Sequence, residues 1–534
     1  MINDKRIQTF MKPVARTILL AALLLPPAFS AWGEEAGTDR QELEALRQTT
    51  MKLIELMVQS GIITQEKAEE LLREARRNAA QATTPKTESG EKEKVVRVPY
   101  VPQFVRDNIK EEIRQEVVAQ AKQERWGEPG ALPDWISRMK FEGEVKFRLQ
   151  SNHLSGANAP LGTYVDVQGT NSSGALSLQN TQGDSQLARA QFRFGIEAPV
   201  DSWVTAGARI TTGNLNSPVT EWQTLGSSFG RSAIGLDRAY IKLDPAQWAT
   251  LWLGKFSSPW FSTDLVWYED LSFDGAVASL HYDMGAGTTP FFTAGILPMQ
   301  GFDCTSLQIL SCGQYKRLYA AQVGVEQKLV SDSRFKVAAA LYDFDNVQGQ
   351  TNDPGFPTDK TFVPGFVQKG NSMFNVNPLG SPPLFGLASK FRELNLTAQF
   401  DLANFDPTRI ILSADFVKNI GFDRQEILQR TGLDLEPRTK GYQAKLSVGR
   451  PVITKAGQWQ TWIGYKYVER DAVLDAFNDA DFHLGGTDAK GWFIGGTLGI
   501  AKNTTLRLRY LTANEIDNPP LAIDVFQMDL TAKF

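Results

Sequence analysis

Past Phe141 the chain alternates apolar and polar residues with a period of two, and it keeps this period to its last position. Such alternation puts the two residue sets on opposite faces of a strand. Sixteen segments read this way: 141–149, 186–198, 202–212, 234–243, 249–257, 272–283, 290–298, 315–329, 334–344, 387–401, 408–418, 439–449, 458–469, 489–500, 503–513 and 521–534. Their connectors alternate in length. "PVDS", "DPAQ", "DMGAGTTP", "VSDS", "ANFDP", "PVITKAG" and "KNT" are short, and the stretches between them are mostly long. A sandwich has no reason for that regularity. A closed antiparallel barrel with tight turns at one end and long loops at the other requires it, together with an even strand number.

The faces decide which solvent lies outside. In "QLARAQFRFGIEA", Arg189, Gln191, Arg193 and Glu197 oppose Ala190, Phe192, Phe194 and Ile196. Later strands repeat the contrast, with Gln443, Lys445 and Ser447 against Tyr442, Ala444 and Leu446. Sixteen strands enclose a lumen too wide for these side chains to fill, so the charged face belongs inside and the apolar face in lipid. The expected fold class is an all-β transmembrane barrel of 16 antiparallel strands in a bacterial outer membrane. The terminal Phe534 then belongs to the aromatic girdle at the short-turn, periplasmic end.

The region before the barrel reads differently. Residues 1–30 carry Lys12 and Arg16, an apolar core from Ile18 to Leu25 and small residues at Ala28 and Ser30, the pattern of an export signal. Residues 31–80 have helical periodicity, 81–98 form a polar linker, and 99–126 carry a narrow stripe of Ile109, Ile113, Val117 and Ala121. That stripe suits a short coiled coil, a helix docked on its own barrel, or a peptidoglycan contact. A connector, 127–140, leads into the barrel at 141–534. A long first connector places these helices in the periplasm. A net charge of −4 argues against nucleic acid as a partner. The partners expected are outer-membrane lipid, ions, small hydrophilic solutes and other copies in a homotrimer.

The inward parity gathers bases into one arc: Lys146, Arg148, Arg189, Arg193, Arg209, Arg238 and Lys242, joined around the seam by Arg507 and Arg509, with Lys255 as a further candidate. Such an arc lowers the barrier for anions. Connector "SSPWFSTDLVWYEDLS" offers Asp264, Glu269 and Asp270, which would face the arc across a constriction if the segment folds inward. Cys304 and Cys312 share one long connector, where a disulfide would staple it in an exported protein. No cofactor motif or metal-ligand spacing appears. Ser279 shares the parity of His281, but the two sit in one strand without an orienting partner for a hydrolase, and "GKF" at 254–256 lacks a phosphate-binding loop.

The segments "LIELMVQSGIITQEKAEELLREA" at 53–75 and "VRVPYVPQFVRDNIKEEIRQEVVAQAKQERWGEPGALPDWISRMKFEGEVKFRL" at 96–149, with the terminal Phe534, resemble the bacterial "putative porin" family of outer-membrane proteins. The resemblance implies a non-enzymatic diffusion channel and brings no set of functional residues. The rival expectation is a structural protein whose N-terminal helices tether the outer membrane to peptidoglycan.

Overall fold

The computed structural model describes residues 138–301, 315–357, 359–377 and 379–534. The wall consists of β1 (Lys140–Leu154), β2 (Ser185–Asp201), β3 (Val204–Thr212), β4 (Ile234–Ala246), β5 (Ala249–Ser257), β6 (Ser272–His281), β7 (Thr288–Gln300) and β8 (Lys316–Lys328). It continues through β9 (Arg334–Asp345), β10 (Arg392–Leu402), β11 (Arg409–Asn419), β12 (Lys440–Gly449), β13 (Trp459–Val468), β14 (Ala489–Ala501), β15 (Thr504–Glu515) and β16 (Ile523–Lys533). Each strand pairs antiparallel with its sequence neighbours, and β1 pairs with β16 from Glu144↔Lys533 to Leu154↔Ile523, which closes the barrel.

All sixteen expected strands are present, with ends displaced by at most five residues. Period two survives because each wall residue meets either lipid or lumen and nothing intermediate. On β16, Gln527 is 0 % exposed while its neighbour Phe526 is 45 % exposed. On β1, Arg148 and Gln150 are buried while Phe147 and Leu149 are exposed. A water-soluble protein has the opposite order; a wall bathed in lipid has this one.

The last residue completes the seam. Gly143 donates its N–H to the Phe534 carbonyl at 2.8 Å, and Phe534 donates back to Gly143 at 2.9 Å. A Cβ at position 143 would lie 2.3 Å from the Phe534 ring, so the glycine gives the ring its seat against the backbone.

The lumen departs from the expected wide, wet channel. Residues 258–271 fold inward and bury Trp260, Leu265, Val266, Trp267, Tyr268 and Leu271. These pack with Val473, Leu474 and Phe482 from 470–488 and with inward-facing Phe256, Phe273, Tyr342 and Phe344 on the strands. Trp267 makes edge-on contacts with Phe273 and Tyr342, each at 5.0 Å between centroids. Burying each such side chain stabilises the insertion by about 1.5–3 kcal/mol. Loops thus fill what strand side chains cannot reach.

The long connector after β9 folds on itself around a short hairpin, Met373–Asn375 paired with Phe385–Leu387. Its Val363, Phe374, Val376 and Leu384 surround Ile427 of the helix α2 (Arg424–Thr431). Asp423 caps α2 by accepting from the Gln425 and Glu426 amides, and Gly432, at φ 75°, ends it. A shorter helix, α1 (Val167–Ser173), lies in the first long connector.

Candidate functional site

Inserted loop 258–271 is fixed on several sides of the barrel. Phe261 exchanges backbone hydrogen bonds with the Gln322 amide of β8, at 2.9 and 2.8 Å. The Thr263 hydroxyl donates to Asp415 of β11 at 2.6 Å. Asp264 accepts from Gln443 of β12 at 2.6 Å and lies 3.5 Å from the Lys466 ammonium of β13. Burial would push the Asp264 carboxyl up, but Lys466 and the Gln443 amide outweigh it and hold the group down at about 2. The other two acids of this connector meet bases on other strands. Asp270 pairs with Arg193 at 2.7 Å, and Glu269 lies 3.7 Å from Arg507.

The segment 470–488 meets it from above. Lys466 bridges the two loops, 2.6 Å from Asp479 as well as 3.5 Å from Asp264. Asp481 enters between Arg148 (2.8 Å) and Arg509 (2.7 Å) and accepts from Gln527 (2.8 Å) and the Tyr268 hydroxyl (3.1 Å). Burial alone would raise the Asp481 carboxyl; the two guanidiniums outweigh it and hold it well below the usual carboxylate range.

The nine bases of the arc lie on adjacent strands, but most are matched by carboxylates. Arg148 also pairs with Asp529 at 2.6 Å. Arg193 bonds to Glu221, and Arg209 to Asp237. Arg238 lies 3.7 Å from Asp237, Lys146 is 2.9 Å from Glu144, and Lys242 is 2.9 Å from Asp244. Arg189 has no carboxylate partner among the described residues and reaches only the Gln150 amide oxygen at 3.4 Å. Lys255 does not join the arc. Phe256 beside it is buried inside, so alternation turns Lys255 outward, where it pairs with Asp274 at 3.2 Å.

Parity sets these bases on one face of their strands, but it says nothing of acids that come from outside regular strand pairing. Glu221, Asp479 and Asp481 lie in long connectors, and Asp237 lies at a register shift in β4. One signal was available: 470–488 carries Val473, Leu474, Phe477 and Phe482 among its acids, an apolar content that an external loop would not expose. Cys304, Cys312 and everything before residue 138, including the expected leader and helices, lie outside the described residues.

The family model described as "Putative porin" matches residues 47–534. The chain belongs to that family. It is an outer-membrane β-barrel channel, and the family is one of channels, not enzymes. No curated protein matches this porin. Similar solved structures include OprB of Pseudomonas putida, 13 % identical, covering 75 % of this chain and 95 % of that one at a TM-score of 0.42. The DcaP channel of Acinetobacter baumannii is 12 % identical, covering 74 % and 97 % at 0.38. OmpT of Vibrio cholerae is 10 % identical, covering 74 % and 97 % at 0.36.

Proposed function

We propose that the porin passes ions and small hydrophilic solutes by passive diffusion through the gap beside the inserted loop. The observation that carries this reading is a set of opposed charges left partly exposed. Glu269 and Asp264 on the loop are 58 % and 38 % exposed, and Arg507 on β15 is 32 % exposed. Lys445 and Arg507 both stack on the Trp462 ring, at 5.2 and 5.3 Å, which sets the positive side of a transverse field. Because most wall arginines face carboxylates, selectivity between ions is weak. The lean toward anions rests on Arg189 and Lys445, which have no carboxylate partner among the described residues.

A homotrimer seated in outer-membrane lipid, with the N-terminal helices in the periplasm, belongs to the same proposal. Single-channel recording of the purified full chain in a planar bilayer tests it, with the reversal potential read in a salt gradient. Regular conductance steps with a small anion-side potential support the reading, and grouping in threes supports the trimer. Absence of steps in correctly folded protein refutes passive diffusion.

A further inference from the structure

Asp475 sits in the wall between two cavities at the long-loop end. One, of about 470 Å³, is bordered by Trp267, Phe273, Leu297, Leu318, Leu387 and Phe477. The other, of about 330 Å³, is bordered by His483, Asp488 and Glu515. The Asp475 backbone is pinned: its N–H donates to the Asn371 side chain at 2.8 Å, and its carbonyl accepts from Gln368 at 2.6 Å. Its carboxylate is not. The residue is 1 % exposed, and neither oxygen has a hydrogen-bond donor. Leaving such a group buried and unpartnered costs several kcal/mol, so its retention calls for a donor from elsewhere.

The neighbouring cavity points to the same chemistry. The unpartnered Asp488 Oδ1 and Glu515 Oε2 are acceptors. His483 donates through Nε2 to the Leu521 carbonyl at 2.8 Å, which makes its unpartnered Nδ1 an acceptor in the neutral ring. Lys369 lines this cavity and acts on Glu515 and His483, and neither it nor Arg470, whose Nε is unpartnered, bonds to Asp475. Arg470 pairs with Asp517 at 3.0 Å, and Lys316, beside the larger cavity, donates to Gln300 and to the Val363 carbonyl at 2.8 and 2.6 Å. The larger cavity has the size of a small-molecule site, with an apolar stretch beside Asp475 and a charged remainder in which the acids Glu221, Asp237 and Asp274 outnumber Lys255 and Lys316.

We propose that this paired cavity is a binding site for small amphipathic organic cations, compounds with an apolar or aromatic body and a primary ammonium. The body would occupy the larger cavity, and the ammonium would supply Asp475 with charge and donors. A neutral polyol would bring Asp475 donors but no charge, and an anion would meet the carboxylate. Inner-sphere metal binding is disfavoured, because no three His, Cys, Asp or Glu side chains are grouped for it among the described residues.

Three probes share one apolar body: phenethylamine, 2-phenylethanol and phenylacetate. Their equilibrium binding to the full-length folded porin would be followed by tryptophan fluorescence, with Trp267 in the cavity wall as reporter. Phenethylamine is expected to bind at millimolar concentration or better, and Asp475→Asn to weaken it at least tenfold. Asp475→Asn removes an uncompensated charge and is expected to fold with undiminished thermal stability. Leu318→Trp, which fills the larger cavity and keeps the carboxylate, is expected to abolish binding. Equal binding of all three probes, or an amine affinity unchanged in Asp475→Asn, overturns the site. Because binding is read apart from current, a conducting porin without Asp475-dependent binding refutes the site alone. Binding in a porin that does not conduct refutes only the diffusion reading.

Discussion

Asp481 joins groups from four separate elements of the chain. It meets Arg148 of β1, Arg509 of β15, Gln527 of β16 and Tyr268 of the inserted loop. Asp481→Asn keeps the shape and removes the charge. Arg148 retains Asp529, but Arg509 has no other carboxylate partner among the described residues. Breaking a buried pair on one side costs about 3–5 kcal/mol, so the variant should unfold at lower temperature in heat-shift electrophoresis. Replacing Arg509 with Gln in the same chain should recover part of the loss, because it removes the stranded charge. The sign with pH follows from a folded pKa held below the unfolded value of about 3.9. The contribution is fully present above about pH 5 and is lost as pH falls toward the folded pKa. The gap between wild type and variant should therefore persist from pH 5 to 8 and shrink below pH 4. At the seam, Gly143→Ala would drive a methyl into the Phe534 ring, 2.3 Å away. Because Phe534 is 69 % exposed and its ring can swing aside, the cost should be about 0.5 kcal/mol, and slower refolding into lipid vesicles with a nearly unchanged melting temperature would register it. Parity placed Arg148 and Arg509 on the inner wall, but it could not reveal that one distant aspartate joins them.

Strands and loops differed in how much of them the sequence disclosed, for a physical reason. A wall strand such as "LRLRYL" on β15 meets lipid on one side and lumen on the other, so two-residue alternation is forced at every position. Loop 258–271 obeys no period, because its partners are scattered over β2, β8, β11, β12, β13 and β15. Its inward fold entered only as the condition under which Asp264, Glu269 and Asp270 would face the basic arc, since nothing local in the sequence decides it. The role of 470–488 was carried by apolar residues in a segment expected to face water. Lys466 shows what holds these two elements together, since its ammonium serves Asp264 and Asp479 at once. Lys466→Met should release the inserted loop, leaving both acids without that partner, at a local cost of about 3 kcal/mol or more. The expected signature is higher, noisier single-channel current and faster protease cleavage within 258–271. Unchanged noise and cleavage would mean that the aromatic contacts of Trp267 hold the loop without help from charge.

At the scale of the whole barrel, closure and filling answer to different parts of the sequence. Closure follows from an even strand number, which was legible, and from the β1–β16 register, which was not, because alternation leaves strand ends soft by several residues. Filling depends on charges brought together from opposite walls, where a count of inward bases is a poor guide. The nine bases suggested a strongly positive lumen; the folded chain sets Glu221, Asp237, Asp270, Asp481 and Asp529 among them. What a passing ion meets is then decided by the few charges that stay exposed, above all Glu269 and Arg507. This makes a paired prediction about ion selectivity. Glu269→Gln removes a negative charge from the passage and should shift the reversal potential toward anions. Arg507→Gln removes the facing positive charge and should shift it toward cations. Each shift should shrink in concentrated salt, where the screening length falls to about 3 Å at 1 M. Total conductance should change less than about fivefold in either variant, because weakly coupled exposed charges alter the barrier by less than about 1 kcal/mol. A shift of both variants in the same direction would remove the transverse pair from the account of selectivity and leave Arg189 and Lys445 as the groups to test.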